Sequence, residues 1–355
     1  MPTLKVLTED DLIAAIAQSV GSPPRWLRAG IGDDAALWKT PRAHLNVITT
    51  DMLVDGVHFR LAATTPRALG HKALAVNLSD VAAMGASPRV AVVALGITDV
   101  VDDAWAREFY RGMADLAHRH ACAIAGGDIA RAPTLTIAVT VCGEVRRSDV
   151  RLRSGARPGD VACVTGPLGL AAGWLRYTHM HGEKTGDALT NRDGAGAIAA
   201  DEVLLLRAAY ETPVPRVAEG TFLSGARATH ALMDISDGVS LDGARMARAS
   251  GVDLVLDLAA LRRWCEERPL RGFGSAALDL ALHGGDDYEL IAAVDGRAYH
   301  HLAKRFRARF QSVLGYIGRF ERGSGQVWVE DNGVRRAHTP RGYDHLASMR
   351  AELGT

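Results

Sequence analysis

Net charge is the first thing this chain of 355 residues lacks, since Lys plus Arg and Asp plus Glu number 41 each. No block of like charge forms a tail, so neither nucleic acid nor an anionic membrane surface is expected as a partner. Long apolar runs are missing too. No stretch reaches the ~18 uninterrupted apolar residues of a membrane span, and the opening Met-Pro-Thr-Leu-Lys-Val has no signal-peptide core. A cytoplasmic protein is the expectation. Cysteine is scarce, with Cys122, Cys142, Cys163 and Cys265 scattered through the chain. Without ligand spacing they read as core thiols rather than a zinc site. No Gly-Lys dipeptide occurs anywhere, which excludes a Walker A loop, and there is no protein-kinase catalytic loop.

What the chain does have is length, glycine and carboxylates in company. Its length exceeds what one hydrophobic core usually supports, so two domains are expected. A shift to Arg, Ser, Gly and Pro over residues 151–159 marks the linker, dividing the chain into residues 1–150 and 151–355. In the first half a cap at Thr8 opens an amphipathic helix. Gly30-Ile31-Gly32-Asp33-Asp34 then forms a turn, and residues 45–51 read as a strand with Asp51 at its end. Thr65-Pro66 starts a helix over residues 67–84 that is apolar nearly all round and therefore buried, yet it carries Asn77 and Asp80 on one face. A capping contact or an ion pair would satisfy Asp80, and so would a metal. Strands over residues 89–96 and 134–143 flank a helix over 102–120, and Gly126-Gly127-Asp128 precedes the second strand as a turn.

The second half reads as a strand over 160–165, a helix opening at 170–177 and a surface connection over 178–199. Leu232-Met233-Asp234-Ile235-Ser236-Asp237-Gly238 follows, an apolar lead-in to two carboxylates and a helix start of the kind that attracts phosphate. A capping Ser236-Asp237 pair accounts for two of these residues but leaves Asp234 unexplained. Gly284-Gly285-Asp286-Asp287-Tyr288-Glu289 then repeats the glycine-then-acid theme ahead of a strand at 290–294. Buried carboxylates are costly without cations. Acid-rich glycine turns with no clustered cysteine select oxygen-ligand metals, magnesium above all, and several such turns suit a polyphosphate undergoing phosphoryl transfer. A nucleotide is the expected ligand.

Taken in order, these motifs resemble thiamine-monophosphate kinases, members of the aminoimidazole ribonucleotide synthetase-like superfamily. The motifs are Gly-Ile-Gly-Asp-Asp-Ala-Ala at 30–36, Thr-Thr-Asp-Met-Leu-Val-Asp-Gly-Val-His-Phe at 49–59, Lys-Ala-Leu-Ala-Val-Asn-Leu-Ser-Asp at 72–80, Gly-Gly-Asp at 126–128, Arg-Ser-Gly-Ala-Arg-Pro-Gly-Asp at 153–160, Asp-Ile-Ser-Asp-Gly at 234–238, Gly-Gly-Asp-Asp-Tyr-Glu-Leu at 284–290 and Gly-Tyr-Asp-His at 342–345. The resemblance implies an α/β (α+β) fold of two domains, mixed sheets covered by helices, dimeric through N-terminal strands. It implies magnesium held by Asp33, Thr49, Thr50, Asp51, Asp80, Asp128, Asp234 and Asp237, of which Asp33, Asp51, Asp80, Asp128 and Asp237 would carry the catalysis. Gly127, Asp128, Arg153 and Ser236 would contact ATP. His58, Asp286 and Leu346 would face thiamine monophosphate. Leu346 and Ile129 stand where the family commonly has an aromatic and a threonine. The implied reaction is direct in-line transfer from ATP to thiamine monophosphate. The rivals are a related kinase or synthetase with another small acceptor, or a silent nucleotide-binding module. Selenophosphate synthetase is disfavoured because no cysteine precedes Cys122.

Overall fold

The computed structural model describes residues 27–29, 36–39, 43–99, 101–181, 198–266 and 269–343. The helix expected after Thr8, Asp33 with most of its glycine turn, most of the 178–199 connection, and Leu346 therefore lie outside the described residues.

Two sheets organise the fold. The first has six strands: β1 (Leu27–Ala29), β2 (Ala36–Lys39), β3 (His44–Val54), β4 (Ser87–Ile97), β5 (Ala123–Arg131) and β6 (Thr136–Arg146), in the order β1-β2-β3-β6-β4-β5. Its pairs are antiparallel except β4 with β5. Between β3 and β4 runs α1 (Pro66–Ala83), and between β4 and β5 runs α2 (Asp103–Arg119). Both helices start as expected. Thr65 accepts from the Ala68 N–H with Pro66 in the first turn, and Asp102 accepts from the Trp105 N–H.

The second sheet is drawn from β7 (Asp160–Val164), β8 (Thr229–Ile235), β9 (Val252–Asp257), β10 (Glu289–Asp295), β11 (Gly315–Arg322), β12 (Val327–Asp331) and β13 (Val334–His338), ordered β13-β12-β9-β11-β7-β10-β8. Its helices are α3 (Leu170–His181), α4 (Ala200–Glu211), α5 (Val217–Ser224), α6 (Val239–Ser250), α7 (Leu258–Glu266), α8 (Ala277–His283) and α9 (Tyr299–Phe310). β10 shows why its central strands read as unbroken apolar runs: Leu290, Ala292 and Val294 join the core around α1, while Ile291 and Ala293 join the core on the other face, with α6. α1 is thus the common filling between the two sheets. Fifteen of its residues are buried, which its lack of a polar face anticipates.

Four sequence expectations shift. β3 continues to Val54 with Asp51 paired to Val139, so Asp51 sits inside the strand and not at its end. The apolar alternation simply runs on through Leu53. Gly126-Gly127-Asp128 is not a turn but part of β5, with Val93 opposite Gly127. The reason is close approach: a Cβ on Gly127 would stand 1.7 Å from the Val93 carbonyl oxygen, so the glycine lets two backbones meet. α3 continues through residues 178–181, which were expected to be irregular. Finally, Asn77 is wholly buried and donates to the Ala73 carbonyl one turn back, at 3.2 Å, so it does not act with Asp80.

Candidate active site

Strand period places the first carboxylate. Leu45, Val47 and Leu53 are buried on the face of β3 toward α1, and Thr49 and Asp51 fall on that same face by alternation. On α1 the spacing of four does the same work, setting Lys72, Val76 and Asp80 along one stripe. The two elements meet where the Thr49 hydroxyl donates to Asp80 Oδ2 at 2.5 Å. From the other sheet, Asp234 near the end of β8 is only 3% exposed and accepts from the Ser79 hydroxyl of α1 at 2.8 Å. One helix therefore carries an acid that the first sheet orients and itself orients an acid of the second.

The turn after β8 is fixed from behind. Asp242, wholly buried in the first turns of α6, accepts from the backbone N–H groups of Ser236 (3.1 Å) and Asp237 (2.9 Å). Arg245 pairs with both Asp237 and Asp242. Burial, reinforced by the charge of Asp237, pushes the Asp242 carboxyl up to about 7. Asp286 Oδ2 pairs with Lys72 Nζ at 2.8 Å, and its Oδ1 accepts from the Tyr288 hydroxyl at 2.9 Å. Burial, with the nearby Asp286 and Asp51 charges, holds the Tyr288 phenol well above its ordinary range. Asp286 and Tyr288 both adopt left-handed backbone angles, φ of 65° and 50°, unusual for side-chain-bearing residues and typical of functional turns.

One cleft of about 640 Å³ lies between the sheets. Thr50, Asp51, His58, Asp80, Asp234, Ser236, Asp237 and Asp286 all border it, together with Tyr210, Tyr288, Tyr343 and Arg60. Five carboxylates against one guanidinium make its lining strongly acidic. Thr49 stands one layer behind, and Thr50 turns to the opposite face of β3, donating to the Val139 carbonyl at 3.1 Å. Three expected residues are not brought there. Gly127 and Asp128 lie on the exposed edge strand β5, and Arg153 lies in a single 3-10 turn whose carbonyl accepts from the Ser250 hydroxyl. Among the described residues no three His, Cys, Asp or Glu side chains form a ready-made cage for an ion.

Sequence reading missed Lys72, Tyr210, Asp242 and Arg245. A lysine inside an apolar helix and an acid in the first turn after Asp-Ile-Ser-Asp-Gly were available signals; Tyr210 had none.

Comparison with known proteins places the chain in a family. Residues 32–145 match the family described as AIR synthase related protein, N-terminal domain. The thiamine-monophosphate kinase of Escherichia coli K12 is 34% identical over 353 residues, covering 96% of this chain and 98% of its own. That of Bacillus subtilis 168 is 30% identical, covering 89% and 93%. The solved structure of AaThiL complexed with AMPPCP and TMP superposes with a TM-score of 0.76 at 29% identity, covering 97% of this chain and 99% of that one. The structure of thiamine-monophosphate kinase from Stenotrophomonas maltophilia K279a gives 0.70 at 34% identity, covering 91% and 95%. With identity of 30% or more sustained along nearly the whole length of both chains, the chain belongs to the thiamine-monophosphate kinase family.

Proposed function

We propose that this protein transfers the γ-phosphoryl group of ATP to the phosphate of thiamine monophosphate, giving thiamine diphosphate and ADP. The observation that carries the reading is the single cleft in which acids from both sheets converge. A lining with five carboxylates repels a bare triphosphate, so the nucleotide enters with cations. The donors present are carboxylate and hydroxyl oxygens, the set that suits magnesium, and Asp234 is too deeply buried to be a mere solvated charge. Asp51, Asp80, Asp234 and Asp237, with Asp33, are the residues that would hold it. When bound, magnesium supplies charge neutralisation on the phosphates.

The remaining work is positioning. The acceptor phosphate is anionic at neutral pH and needs no strong general base, so orientation for in-line attack and exclusion of water carry the rate. Ser236 and Asp237, held by Asp242 beside the start of α6, bound the nucleotide side. His58 and Asp286 bound the acceptor side, with the AaThiL structure complexed with both AMPPCP and TMP as support for two small molecules in one fold. We take the two sheets as two domains divided near residue 150. The outer face of the first sheet exposes Met52, Val90 and Val92, which supports a homodimer formed through these strands. No helix among the described residues is long and apolar enough to cross a membrane, and a cytoplasmic enzyme fits the neutral composition.

The test is chromatographic: incubate the protein with ATP, magnesium and thiamine monophosphate, and in parallel with unphosphorylated thiamine and with other small phosphate esters. Thiamine diphosphate from the monophosphate alone is expected. ATP turnover coupled to a different phosphorylated acceptor would overturn the assignment.

A further inference from the structure

Lys72 is 2% exposed, in α1, a mostly apolar helix whose other charged residues are Arg67 and Asp80. A lysine is seldom buried so completely, because an isolated ammonium loses its hydration there. Its compensation comes from two distant segments. Nζ lies 2.8 Å from Asp286 Oδ2, on the loop before β10, and 3.7 Å from the centroid of the Tyr210 ring at the end of α4. The first contact is a charge-assisted hydrogen bond, the second a cation–π contact away from water.

Both partners border the cleft, whereas Lys72 does not. It is therefore not a phosphate-binding lysine reaching toward substrate. It stands behind the wall and ties the wall together. The Tyr210 hydroxyl donates to the backbone carbonyl of His58 at 3.0 Å, so the ammonium is linked through one ring to the second acceptor-side residue. Asp286 is held at four points: by Lys72, by the Tyr288 hydroxyl, by its own N–H to the Ser236 carbonyl, and by the neighbouring Tyr288 N–H to the Ile235 carbonyl. Its left-handed backbone persists because those contacts over-determine it.

The geometry points to Lys72 as a positioning residue for the acceptor: one buried ammonium sets the places of Asp286, Tyr210 and His58, and cancels the charge of Asp286 so that this carboxylate meets the acceptor as an oriented hydrogen-bond acceptor. The inference rests on the acceptor reading given above. It distinguishes two halves of the cleft, since the Ser236–Asp237 turn, although its Ser236 carbonyl accepts from the Asp286 N–H, has further supports of its own in Asp242 and Arg245.

The experiment is steady-state kinetics of K72M and of K72M/D286N, with a thermal-unfolding cycle completed by D286N. K72M is expected to raise KM for thiamine monophosphate about tenfold or more while KM for ATP stays within about twofold. K72M/D286N removes the unpaired carboxylate and recovers thermal stability, yet its acceptor KM stays high. Equal rises in both KM values, or a wild-type acceptor KM in the folded double variant, would show that Lys72 only supports the fold and would overturn the inference. The unfolding cycle does not need turnover: the double variant should lose less than the sum of the single losses, and strict additivity would refute the coupling even if the wild-type protein made no thiamine diphosphate, an outcome that would instead sink the acceptor reading.

Discussion

α1 and α2 cross at two glycines, and filling either one should move the catalytic cleft. A Cβ on Gly70 would lie 1.8 Å from the Phe109 carbonyl oxygen, and one on Gly112 would lie 1.9 Å from that of Arg67. These are backbone atoms and cannot swing away as a side chain would. Restoring ordinary contact at 3.4 Å requires the helices to part by about 1.6 Å. Gly70→Ala gains about 1 kcal/mol in helix propensity. Overpacking against backbone costs about 3 kcal/mol, the upper end of the usual range. The clash wins, leaving a net loss of about 2 kcal/mol. In urea denaturation that loss appears as a lower midpoint with an unchanged slope. Because α1 carries Lys72 and Asp80, a displacement of about 1 Å should also lower turnover by about a hundredfold in protein that is still folded. Gly112→Ala should behave alike. The double variant should cost less than the sum, since one parting of the helices accommodates both methyl groups. If Gly70→Ala kept its stability within about 0.5 kcal/mol and its full activity, the crossing would not be positioning the site.

Asp80→Asn should keep the fold, because the amide oxygen can still accept from the Thr49 hydroxyl, yet lose at least about a hundredfold in turnover and need more magnesium for half-maximal rate; full activity would mean that Asp80 serves only structure. Arg216 donates twice to Glu289, a side chain just 4% exposed, so Arg216→Ala should cost about 3 kcal/mol, and Arg216→Ala with Glu289→Gln should cost less than Arg216→Ala alone; calorimetry on the two variants and the parent protein decides it. Burial pushes the Cys122 thiol up to about 11 and the Cys163 thiol higher still, whereas Cys142 is only half-buried. Mass spectrometry after brief alkylation at pH 8 should therefore find Cys122 and Cys163 modified only in denaturant, and Cys142, opposite Val90 on the outer face, modified without denaturant once the dimer is dissociated.

Local signals carried much of the fold and of the site into the sequence. The cap at Thr65-Pro66 and the unbroken apolar character of α1 announced a buried helix, and a carboxylate within it announced a partner. Asp234, Ser236 and Asp237 could be read because an apolar strand ending in glycine has few ways to continue. Pairing between distant segments was not legible. Gly126-Gly127-Asp128 has turn composition, but β4 offers a free edge and the missing Cβ lets β5 close against it, so tertiary pairing overrides local preference. Asp51 looked terminal because its polarity resembled a strand end, whereas the cleft beside β3 leaves room for a half-buried acid inside the strand. Lys72 and Tyr210 lie 138 positions apart, and nothing in either neighbourhood names the other.

The central claim is that acids from two sheets build one cleft for direct transfer of phosphate from ATP to thiamine monophosphate. Phosphorus NMR of a single reaction mixture containing both compounds and magnesium follows every phosphate at once. The account predicts that the γ-phosphate of ATP and the monophosphate resonance fall together, one for one, as ADP and thiamine diphosphate appear, and that a chelator stops both. ATP decaying to ADP and inorganic phosphate while the thiamine monophosphate resonance stays unchanged would contradict it.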